Sequence, residues 1–422
     1  MLRRRLPLVL ACAAFLVLPV ALHACMWDYD TLKMERSRFP TTLELITGKF
    51  LRHSPEFYHW RIKDREQRLK DHPSGMSLYD DLAVAYDKIG NDDRAIELML
   101  EKEQKSPGLY ETYANLGTFY LHSGQYDKGV AMIDKALAVN PDAHFGREKY
   151  QKYLAKYLAT RRKDGKVALP LRRQTPYPNV KESDPEKEAK LEPYRELQSE
   201  DTFNGFVAKR EKVSQLSDEE RDKAIKGILG IMKFGKHDSP IILEALGDLL
   251  VLIQGVGPYG HGKELAARAY LKASYEVQDE AAKEQFRVMA KDAIHMRRPR
   301  EWELTLDQTE KDFKKELADA DAWYSDLRGK EIGWIHDGLN PETEFDKLYD
   351  SEPVVVSPQD DESWQTVAQA NTLFWGRMVL AVLLSAGGLG TVAGILAVCV
   401  WCRKKPATDA CNPRRNSGAM QA

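Results

Sequence analysis

The chain has 422 residues, enough for two or three domains, and its 30% charged and 43% hydrophobic residues are those of an ordinary soluble protein. A net charge of −2, with no stripe of Lys and Arg in its middle, leaves no electrostatic footprint for nucleic acid. The five cysteines stand at 12, 25, 399, 402 and 411, so the long stretch between Cys25 and Cys399 has no pair for an internal disulfide.

Residues 1–24 read as a signal peptide or N-terminal anchor. Arg3, Arg4 and Arg5 precede an apolar run from Leu6 to Leu22. The leader ends in "LHAC", Leu22 to Cys25. This resembles the lipobox of bacterial lipoproteins, with His23 in place of the small residue usual there. The resemblance makes Cys25 a candidate for lipidation, which would add a second membrane anchor. Cleavage after Ala24 with a free thiol, or an uncleaved leader, are the alternative readings. Segment 25–54 follows. Its "WDYD" sets Asp28 and Asp30 beside Trp27 and Tyr29. No further ligands mark a metal or glycosidic site, so the aromatic pair is read as docking this segment on the helical body or the membrane interface.

Residues 55–160 carry an internal repeat. Pro73, Pro107 and Pro141 are spaced by 34, as are Gly90 and Gly124, Leu82 and Leu116, and Tyr86 and Tyr120. Two full units, 76–109 and 110–143, each pair two amphipathic helices around a glycine turn, flanked by a helix on either side. The second unit carries Tyr113, Leu116, Gly117, Tyr120, Gly124, Ile133, Ala136 and Pro141, and the first Tyr79, Leu82, Ala83, Tyr86, Ala95 and Pro107. This pattern resembles the tetratricopeptide repeat, departing from it at Gly129, where Ala is usual, and at Lys102. The resemblance implies a stacked helical solenoid whose first helices line a peptide groove. Here the groove is expected to present Asp80, Val84 and Asp87, then Asn115, Thr118 and His122, then Lys152 and Lys156. Family members that grip a C-terminal carboxylate use Lys and Asn where this chain has Asp80 and Val84, so that clamp is not expected. Either a partner peptide or the chain itself, for example its 165–200 stretch, fills the groove.

Residues 161–200 hold five prolines, at 170, 176, 178, 185 and 193, among charges, and read as a linker or extended wrap. A second, degenerate repeat-like helical region spans 201–336, opening with a Ser217/Glu220 cap pattern. Its "GPYGHGKE", Gly257 to Glu264, nearly matches a phosphate-cradling loop. Glu264 stands where the magnesium-holding Ser or Thr is needed, and the preceding stretch reads as helix. An exposed turn with Tyr259 and His261 as a contact loop is the better reading. Residues 337–372 read as an acidic stalk and 374–402 as a transmembrane helix. Its apolar stretch exceeds the roughly 20 residues that cross a bilayer. Arg403, Lys404 and Lys405 place the 403–422 tail in the cytoplasm. Gly390 and Gly394 form a GxxxG pair suited to helix packing or self-association.

No common catalytic signature occurs, Cys399-x-x-Cys402 lacks a second ligand pair at zinc spacing, and no cofactor is expected. The reading is an all-α protein, held at a bacterial cell membrane with its body outside the cytoplasm. Its role is a non-catalytic scaffold or adaptor that binds protein or peptide partners. An envelope enzyme with its site in 201–330 is the alternative.

Overall fold

The computed structural model describes residues 27–31, 38–141, 147–163, 166–172, 199–253, 256–257, 260–295 and 305–349. Cys25, Tyr259, Gly390, Gly394, the leader, the tail and the expected membrane helix lie outside these residues. Among the described residues no helix is long and apolar enough to cross a membrane.

The fold is all-α apart from two antiparallel ladders of two residues per strand. A short helix α1 (Thr42–Thr47) opens with a reciprocal Thr41/Glu44 cap and ends at Gly48, whose φ of +83° favours glycine. Helix α2 (Pro55–Asp71) starts with Ser54 capping and Pro55 at its first position. Then come α3 (Met76–Lys88), α4 (Asp92–Lys105), α5 (Tyr110–His122) and α6 (Tyr126–Val139). The starts of α3 and α5 are 34 residues apart, and so are those of α4 and α6. Gly90 and Gly124 turn each pair with φ of +82° and +76°. Helix α7 (Arg147–Arg161) follows, then the β1 (Arg162–Lys163) and β2 (Lys166–Val167) ladder.

The second half comprises α8 (Phe203–Arg210), α9 (Asp218–Phe234), α10 (Pro240–Leu250), the β3 (Val256–Gly257) and β4 (Gly260–His261) ladder, α11 (Gly262–Glu276) and α12 (Glu280–His295). Ser217 and Glu220 form a capping box at the start of α9. Helix α13 (Leu306–His336), about 46 Å long by the helical rise, and α14 (Pro341–Asp346) complete it.

From α2 to α7 each helix packs on the next; α9 then packs on α7, and α10, α11 and α12 follow in turn. Helix α13 packs on α11 and α12 at one end of the series and on α1 and α2 at the other, which closes the path of contacts. Phe313 is fully buried in the larger core, and Glu316 receives a two-pronged hydrogen bond from Arg268 of α11 at 2.8 and 2.9 Å. One expectation is corrected here. Residues 340–349 do not begin a stalk; they fold back on α13 and α2. Phe345 is buried with Leu51 and Leu327, and Glu342 reaches two arginines of α2.

Close helix contacts set the sign of glycine substitutions. A Cβ on Gly247 of α10 would lie 2.4 Å from the ring of the buried Tyr270, whose hydroxyl is tied to Asp248. Nothing lies within 4 Å of a Cβ on Gly329 of α13. Gly247→Ala is expected to lower the thermal midpoint, overpacking at about 1–3 kcal/mol outweighing the helix-propensity gain. Gly329→Ala is expected to raise it, by up to about 1 kcal/mol. Calorimetry on the two variants checks both signs.

Candidate functional site

The first-helix face of the repeat block is occupied by the chain's own residues 27–31. Asn115, fully buried on α5, reads the backbone of Trp27 in both directions. Its Oδ1 accepts from the Trp27 N–H at 2.7 Å and its Nδ2 donates to the Trp27 carbonyl at 2.9 Å. The indole meets the Tyr110 ring edge-on at 6.1 Å, beside Ala114 and Ala136. Asp81 of α3 accepts the Tyr29 N–H at 2.8 Å. Trp27 precedes a single helical turn at residues 29–31, whose leading N–H groups have no partner within the turn, and a buried peptide group left unpaired is costly.

The side chains of the segment enter a buried charge network. Arg61 of α2 has no exposed surface. Its Nη1 lies 3.1 Å from Asp28, its Nη2 2.7 Å from Asp30, and its Nε donates to Glu342 of α14 at 2.9 Å. One turn on, Arg65 pairs with Asp81 at 2.8 Å and with Glu342. His53 stacks on Phe57 at 3.6 Å, with Nδ1 2.6 Å from Glu331 of α13 and Nε2 3.2 Å from Asp30. Glu331 also accepts the Ser54 N–H. Burial opposes the imidazolium, yet Asp30 and Glu331 outweigh it and push His53 up to about 9. Burial works against Asp30 as well, but Arg61 and His53 hold its carboxyl well below the usual range. Burial and the neighbouring Asp30 charge push Asp28 up to about 6 against the pull of Arg61.

The expected groove residues fall into two sets. Asp80, Val84, Asp87, Asn115, Thr118 and His122 lie together on the inner face, all buried. Asp80 pairs with Lys102 at 2.5 Å; burial pushes it up to about 7 despite that cation. Thr118 accepts from Gln151 at 3.0 Å, and His122 Nδ1 lies 2.5 Å from Asp87. Lys152 is elsewhere: it reaches Asp134 of α6 at 2.8 Å. Lys156 is half-buried on the same helix. From α7 the inner face is made by Glu148, which accepts from Tyr110 at 2.6 Å, and by Gln151. Of the 165–200 stretch, Leu171 and Arg172 dock on α10, where Glu244 accepts both backbone N–H groups at 2.7 Å. Arg172 also pairs with Asp248 at 2.6 Å. Burial and Asp248 push Glu244 up to about 8 against those donors. His261 stands at the N-cap position of α11 without a side-chain capping bond.

Arg61, Arg65 and His53 were not singled out in the sequence, although a signal was present. Arg61 and Arg65 stand four and eight residues after Phe57, on the helix face that the apolar stripe should occupy. No protein-family model matches this chain, and no curated protein is significantly similar to it.

Arg61→Ala leaves Asp28, Asp30 and Glu342 buried without their cation. It is expected to cost about 3–5 kcal/mol in denaturant unfolding and to open residues 27–31 to protease. The pH response has a defined sign. His53 binds its proton more tightly folded than at its ordinary value of 6.5, so its contribution is complete below 6.5 and lost as pH rises through about 9. Glu244, raised to about 8, acts in the same direction. Urea unfolding is expected to show stability falling from pH 6.5 to 9 by on the order of 2 kcal/mol. The slope should be shallower in His53→Gln; an unchanged slope would remove the imidazole as its source.

Proposed function

We propose that this chain is a membrane-anchored, extracytoplasmic scaffold built on a tetratricopeptide-type repeat block, binding partner proteins at a bacterial cell envelope. The observation that carries the reading is the grip of Asn115 and Asp81 on the backbone of residues 27–31. A helical face that holds another segment's main chain through amide and carboxylate side chains is peptide-recognition chemistry. Paired helices that start 34 residues apart support the repeat resemblance.

In this reading the groove fastens the block to the leader side of the chain, two residues from Cys25. The 374–402 stretch forms the second anchor. Partner contact then falls to outward positions. Leu100 of α4 and Val139 of α6 are exposed large apolar side chains on the second helix of each pair, and His261 stands beside the glycine-rich turn.

Photo-crosslinkers at Leu100, Val139 and His261, with buried Thr118 as reference, test this in cells. The expected result is a discrete protein adduct from an outward position in the membrane fraction, with only intrachain products from Thr118. Recovery of the chain in the soluble fraction, or no adduct from any outward position, overturns it.

A further inference from the structure

We propose that Asp87, Asp92 and His122 form a binding site for a divalent transition-metal ion. The protein ligands are one imidazole nitrogen and two carboxylate oxygens. Asp87 lies in the last turn of α3, Asp92 is the first residue of α4, and His122 is the last residue of α5. The Gly90 turn returns the chain so that Asp92 comes back beside Asp87, and the next repeat delivers His122 to the same corner. A ligand atom from each of the three lies within 4.8 Å of the other two.

The charge arithmetic favours a cation. Asp87 and His122 are buried and meet at 2.5 Å. Asp92 adds a second carboxylate to the cluster. It makes no hydrogen bond or ion pair with any described residue. Lys88, adjacent to Asp87, donates instead to the carbonyls of Phe234 and Gly235 at 3.0 Å. Two carboxylates thus face one imidazole in a site mostly withdrawn from water, where uncompensated charge is costly.

The donor set decides the class of ion. Imidazole with carboxylates suits zinc and its first-row neighbours, whereas magnesium and calcium prefer oxygen alone. Zinc bonds to such donors are about 2.0–2.2 Å long, so small side-chain rotations bring the three atoms to one ion. Asp92 is half-buried, so the cluster is not closed off from solvent.

The test uses the full chain in detergent, purified without a polyhistidine tag and stripped with chelator. Calorimetric titration with Zn²⁺ and with Mg²⁺ is run on the parent and on Asp92→Asn. That substitution keeps the side-chain shape at a position with no partner to lose. One Zn²⁺ per chain is expected, with a raised thermal midpoint, no response to Mg²⁺, and affinity weaker by roughly tenfold or more in Asp92→Asn. His122→Gln, if it folds, should lose binding as well. A parent chain that binds no Zn²⁺ at micromolar concentration, or an Asp92→Asn chain that binds it as tightly as the parent, overturns the proposal.

Discussion

The buried guanidinium of Arg61 is the interaction on which the rest of the structure depends. A charge withdrawn from water is tolerated only where opposite charges and hydrogen bonds surround it. Here those groups come from the N-terminal segment through Asp28 and Asp30 and from the C-terminal end of the body through Glu342. Arg65, sharing Glu342, adds Asp81 of the first repeat. None of these carboxylates is well placed without the others. The network therefore couples segments about 280 positions apart into one body. Its contribution is best understood as specifying the arrangement. Apolar residues of the same volume could be as stable, but would not dictate which segments meet.

A second theme follows from the path of the chain. Two short stretches, 27–31 with its one helical turn and 168–172 just after β2, lie against the helical body. Each has its peptide groups held by side chains: Asn115 and Asp81 for the first, Glu244 for the second. Asp248 does the same for the N–H of Phe203 at the start of α8. Fixed acceptors of this kind satisfy buried N–H groups at the cost of holding polar or charged atoms in the interior. The raised titration of Glu244 reflects that cost. Side-chain pairing of this kind also accounts for the burial of the inner face of α3 and α5.

Much of the helical framework was legible in the chain itself. The 34-residue recurrence, the turn glycines and the Ser217/Glu220 cap are local signals, and local energetics decide where helices start and stop. Extrapolation of the period failed at α7. Neighbouring positions on a helix point about 100° apart, so a one-residue difference in facing sends Lys152 toward α6 and gives Gln151 the inward place. Residues 340–349 misled for a different reason. Their acidic composition looks like a solvated stalk, but Glu342 is acidic because it answers Arg61 and Arg65.

By itself the sequence determined the all-α class, the pairing of helices and most of their ends, because periodicity and capping act within a few residues. It also pointed to docking of the Trp27–Tyr29 aromatic segment on the helical body or the membrane interface, and Trp27 takes the first. Only the tertiary structure decided that this face is filled by 27–31, that α13 bridges the ends of the helical series, and that Asp87, Asp92 and His122 share one corner. Those outcomes depend on which distant charges can be brought together and desolvated at once. No local pattern records that, since the free energy of a buried charge belongs to its partners as much as to the residue that carries it.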